Sequence, residues 1–126
     1  MVRLEIADGL VTLRFHQPYE AGDEPAYLAA LEEVALVQGP FVLLTIFGGG
    51  PALSQGGDKA QALWFKRTRA TMDERCRALA MVRPGATKEM AHMFQKLWRF
   101  PVMATADEGE ARRFLAAHSP AERSAS

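Results

Sequence analysis

Apolar and polar residues alternate along "VRLEIADGLVTLRFH" (2–16), with Leu4 and Ile6, then Val11, Leu13 and Phe15, on one side of each run. That period of two predicts two strands with one apolar face each, and Asp8-Gly9 between them predicts a tight hairpin. Past "QPYEAGD" the period lengthens. Tyr27, Leu28, Leu31, Val34 and Ala35 gather on one side at 100° per residue, which predicts a helix with Asp23 as its cap and Pro25 in its first turn. Gly39-Pro40 stops it.

"FVLLTIF" (41–47) and "ALAMV" (78–82) read as apolar on both faces, the pattern of strands covered on two sides. Between them a helix is predicted from about Gly57 to Arg75. A third helix over 87–99 has Met90, Ala91, Met93, Phe94, Leu97 and Trp98 on one half. Lys88, His92, Gln95, Lys96 and Arg99 occupy the other half. "VMATA" is a short last strand. Asp107 then caps a helix whose Ala111, Phe114 and Leu115 face inward. The order ββαβαβαβα predicts an α/β fold with a mostly parallel central sheet, an N-terminal hairpin and four helices.

With 126 residues, the chain suits one domain, expected over 1–118, with 119–126 as a disordered tail. Fifteen basic and fifteen acidic residues cancel, which argues against bulk attraction to nucleic acid. No apolar run approaches a membrane span and the start is not a signal peptide, so a cytoplasmic location is expected.

The glycine-rich loop "GGGPALSQGGDK" (48–59) raises the question of phosphate binding. Lys59 follows Asp58 and precedes Ala60, so the lysine and hydroxyl of a P-loop are missing, and the dinucleotide spacing fails at Leu53. No cofactor is therefore expected. His16, His92 and His118 lack metal spacing. Cys76 lies between Arg75 and Arg77 but has no histidine near it in sequence, and reads as structural. No catalytic set emerges.

The order of elements resembles the SpoIIAA-like (STAS) fold of bacterial anti-sigma-factor antagonists over residues 2 to 117. The hairpin "LEIADGLVTLRF", the strand "FVLLTIF" before a helix carrying Trp64, and the ending "PVMATADEGEARRFL" are similar to the broader STAS-like family. The resemblance implies a regulatory or adaptor domain that acts through protein–protein contacts; some relatives are associated with apolar ligands such as lipids. Where that family carries an Asp-Ser-Ser-Gly type sequence, this chain has a single serine, Ser54, which makes it the candidate phosphorylation site.

On the helix after the loop, Ala60, Leu63, Trp64, Ala70 and Thr71 form one stripe around Arg67, and Phe65, Met72 and Cys76 form another. One stripe suffices to lie on a sheet, so the other is expected to stay available. Gly49, Gly50, Ser54, Trp64, Phe65 and Arg67 are the candidate partner-binding residues, toward another protein or a second copy of this chain. The loop 48–57 is expected to be mobile. The second reading is a carrier or sensor of a lipid or other apolar ligand, from six Met, seven Phe and two Trp.

Overall fold

The computed structural model describes residues 1–49 and 53–119. Two strands, β1 (Val2–Ala7) and β2 (Leu10–Phe15), form the expected hairpin. Asp8 and Gly9 both have positive φ, 51° and 77°, as a two-residue hairpin turn with the twist of the strands requires. Then follow α1 (Asp23–Ala35), β3 (Phe41–Phe47), α2 (Gln55–Arg75), β4 (Cys76–Val82), α3 (Lys88–Gln95), β5 (Val102–Thr105) and α4 (Glu108–Ala116).

The sheet is mixed, in the order β1-β2-β3-β4-β5. β1 pairs antiparallel with β2, and the other three pairings are parallel. Strands that follow one another across a sheet through right-handed crossovers send every connecting helix to the same side. Accordingly Leu31, Val34, Trp64 and Met72 share one apolar cluster with Val11, Leu13, Leu43, Leu79 and Met81, while only α4 covers the opposite face, with Ala111 and Leu115 on Val42, Leu44, Ala78 and Ala80. The hairpin extends beyond this cover: Val2 and Leu4 pack on the core, but Ile6 near the turn is 55% exposed.

Three local expectations need correction. Asp23 is the first residue of α1 rather than its cap; its carboxylate accepts from the Glu20 N–H at 2.7 Å. The third helix stops at Gln95 instead of residue 99, because the Gln95 amide takes over the work of a backbone. Its Nε2 donates to the carbonyls of Trp98 and Phe100 at 3.2 and 2.7 Å, and its Oε1 accepts from Val102 N at 2.8 Å. That bracket turns the chain so that Trp98 and Phe100, at 5% and 6% exposure, enter the core from a loop. Finally, α2 begins at Gln55 rather than at about Gly57, so Gln55–Gly57 belong to the helix and not to the loop before it, of which residues 50–52 lie outside the described residues. The tail expected over 119–126 lies, apart from Ser119, outside the described residues.

Candidate functional site

Helices α1 to α3 cover one face of the sheet. At the carboxyl ends of the parallel strands, where α/β sheets usually bind ligands, they leave a cavity of about 350 Å³. Its floor is Leu43, Thr45, Leu79 and Met81, from β3 and β4. Phe15, Tyr27 and Phe47 form one wall, with ring centroids 5.9 to 6.3 Å apart. Trp64, Phe65, Phe94 and Trp98 form the other, with Phe65 5.4, 6.1 and 5.3 Å from the rest. Gly49, Leu53, Asp58, Gln61, Arg83 and Pro84 complete the lining. Seven of the chain's eleven aromatic residues thus surround one space.

Few polar groups enter this lining, and they are unevenly satisfied. Tyr27 Oη donates to Gln61 Oε1 at 2.6 Å, and burial pushes its hydroxyl up to about 12, so it stays protonated. Thr45 Oγ1, Trp64 Nε1 and Trp98 Nε1 are buried and have no hydrogen-bond partner among the described residues. An unpartnered buried polar group costs about 1–3 kcal/mol. Tyr19 Oη, outside this lining, is likewise buried without a partner among the described residues. Thr45 was legible in outline: it is the one polar residue of "FVLLTIF" and falls on the side of β3 that faces α1 to α3.

The stripe that α2 buries is Gly57, Trp64, Thr68 and Met72. It runs between the two stripes expected from sequence. Thr68 belongs to neither of those stripes; its hydroxyl donates to the Trp64 carbonyl one turn back at 2.7 Å, which removes the cost of burying it. Trp64 is 3% exposed, and half-buried Phe65 packs on Trp64, Phe94 and Trp98. Neither forms an outer surface. Of the remaining candidates, Arg67 is exposed and paired with Glu32. Gly49, with φ 89°, sits at the cavity rim near Pro84. Gly50 lies outside the described residues.

Ser54 is the N-cap of α2. Its Oγ accepts from Gly57 N at 3.0 Å and donates to Glu24 Oε2 at 2.7 Å, while its N–H donates to Glu24 Oε1 at 2.6 Å. These bonds hold the Glu24 carboxyl below its ordinary range. Gly57 permits the arrangement, since a Cβ there would stand 2.6 Å from the carboxylate. The helix N-terminus, where a phosphate would bind, already has an anion of the protein's own beside it. The Cys76 thiol is 1% exposed, donates to the Ala78 carbonyl at 3.3 Å, and is pushed up to about 12 by burial. That is the environment of an inert thiol. No group of three or more metal-ligating side chains is found among the described residues. Nor is any helix among them long and apolar enough to cross a membrane.

Compared with protein-family models, with curated proteins and with solved structures, the chain matches none.

Proposed function

We propose that this chain is a binding domain for a small, largely apolar molecule, a carrier or sensor whose site is the cavity between the sheet and helices α1 to α3. The observation that carries the reading is the aromatic cavity itself: about 350 Å³, at the carboxyl ends of the strands, within the size range of small-molecule sites. The element order ββαβαβαβα, through which the sequence resembles STAS-like domains, is compatible with this reading, since some of those relatives are associated with apolar ligands.

The adaptor reading draws on the same resemblance and on the loop 48–58 with the helix after it. It retains Gly49, Ser54 and Arg67 as accessible residues, but its two aromatic anchors, Trp64 and Phe65, point inward. The geometry therefore favours a ligand inside over a protein docked outside.

Native mass spectrometry of the purified chain, with titration of an uncharged solvatochromic dye, tests the proposal. Retained small-molecule mass, or saturable dye binding to the folded chain, is expected. A chain that carries no added mass and binds no dye would sink it.

A further inference from the structure

β1 is the edge strand of the sheet, and its sequence has neither a proline nor a bulge to blunt that edge. Its inner side pairs with β2 from Val2↔Phe15 to Ala7↔Leu10. A two-residue hairpin turn closes on a hydrogen-bonded pair, here Ala7 and Leu10, and such pairs recur at every second residue of an antiparallel ladder. The His16 N–H donates to the Met1 carbonyl at 2.9 Å, in step with that alternation. Arg3, Glu5 and Ala7 therefore bond inward, to β2. The backbone N–H and C=O groups of Val2, Leu4 and Ile6 point outward, and no strand lies beyond them among the described residues.

We propose that β1 pairs antiparallel with β1 of a second copy of this chain, about a two-fold axis at Leu4, so that two five-stranded sheets become one continuous sheet. Charge selects the register. Two-fold registers centred on Arg3, Leu4 or Glu5 all match outward groups to outward groups. The first sets Arg3 against the partner's Arg3, and the last sets Glu5 against the partner's Glu5; like charges directly opposite destabilise a ladder. The register centred on Leu4 sets Arg3 against the partner's Glu5 and Glu5 against the partner's Arg3. Those are non-hydrogen-bonded positions, where opposed side chains stand closest. It is also the register that leaves no outward group unmatched: Val2, Leu4 and Ile6 meet the partner's Ile6, Leu4 and Val2. Arg3 and Glu5 have side chains 61% and 63% exposed, so both are free to reach across. Ile6, 55% exposed in the single chain, comes to lie beside the partner's Val2 and loses apolar surface to it.

Sedimentation velocity of the full chain over a range of concentrations, with amide hydrogen exchange read by NMR, tests the proposal. A reversible monomer–dimer equilibrium is expected, because a single strand pairing is a small interface. The amides of Val2, Leu4 and Ile6 should exchange fast in dilute solution and slow down as the dimer forms. Those of Arg3, Glu5 and Ala7 should be protected at either concentration. Arg3→Glu and Glu5→Arg each set like charges opposite one another on both sides of the axis, and each should weaken self-association about tenfold. Both positions are exposed, so the melting temperatures should stay close to that of the wild type. A mixture of the two variants opposes carboxylates to guanidinium groups at every such position and should restore the dimer.

A chain that stays monomeric up to its solubility limit overturns the proposal and leaves the edge to a strand of another protein. A dimer in which the Val2, Leu4 and Ile6 amides remain fast uses a different surface and overturns it as well. So does a mixture of the two charge variants that associates no better than either alone. None of these outcomes touches the small-ligand reading, because β1 takes no part in the cavity lining.

Discussion

The carboxylate of Glu24 grips Ser54 twice, at 2.6 Å on its backbone N–H and 2.7 Å on its hydroxyl, and so ties the first turn of α1 to the N-cap of α2. The contact depends on ionisation. Glu24's carboxyl sits below its ordinary value of 4.5 in the folded chain, first because of the Ser54 hydroxyl and then because of the Ser54 N–H. A depressed folded pKa contributes stability above the unfolded value, and that contribution is lost as pH falls through the folded one. Glu24→Gln should therefore unfold at a lower temperature than the wild type at neutral pH. The gap should narrow as pH drops below about 4.5, the range of an unfolded glutamate. Thermal melts of both chains between neutral and acid pH check this.

Ser54 substitutions separate capping from charge. Ser54→Ala removes the acceptor for Gly57 N and should lose about 1 kcal/mol. Ser54→Asp restores a good capping residue but sets a carboxylate against Glu24, and a phosphate on this hydroxyl would do the same. Ser54→Asp should be no more stable than Ser54→Ala in the wild-type background. With Glu24→Gln it should become the more stable of the two. Urea unfolding of the four chains decides it, and a Ser54→Asp chain as stable as wild type would remove Glu24's charge from the account.

Thr45→Val should stabilise the chain. The side chain is 8% exposed and its hydroxyl has no partner among the described residues. Valine keeps the β-branched shape in β3 and carries no polar atom. A gain of about 1 kcal/mol is expected, read as a rise of a few degrees in melting temperature. A loss of stability would mean that the hydroxyl has a partner in solution.

Gln95 holds together the turn after α3 with bonds to Trp98, Phe100 and Val102. Gln95→Leu leaves two carbonyls and one N–H without it, and should cost about 2 kcal/mol by urea unfolding. Because Trp98 is placed by this turn, its indole signal should broaden or move in the variant.

Cys76, with its thiol pushed up to about 12 and closed from solvent, should not react with an aromatic disulfide reagent while the chain is folded. Reaction is expected only at the rate at which the chain opens. Rapid labelling under native conditions would show that β4's first residue is accessible.

The alternation of 2–16, the Asp8-Gly9 turn, the apolar runs of β3 and β4 and the cap at Asp107 were legible along the chain, because each rests on neighbours in sequence. The order of elements follows from them. The interior of the site was not. Whether Trp64 faces in or out depends on α1 and α3 flanking α2, and Thr68 counts as apolar only once its hydroxyl is satisfied within the helix. Gln95 ends α3 through atoms on Trp98, Phe100 and Val102, which no helical wheel contains. Sequential right-handed crossovers put three helices on one face, and so bring rings from β2, α1, β3, α2 and α3 around a common space. Local periodicity tells which residues prefer to be buried; only the packing of distant elements decides what they are buried against, and where they leave room.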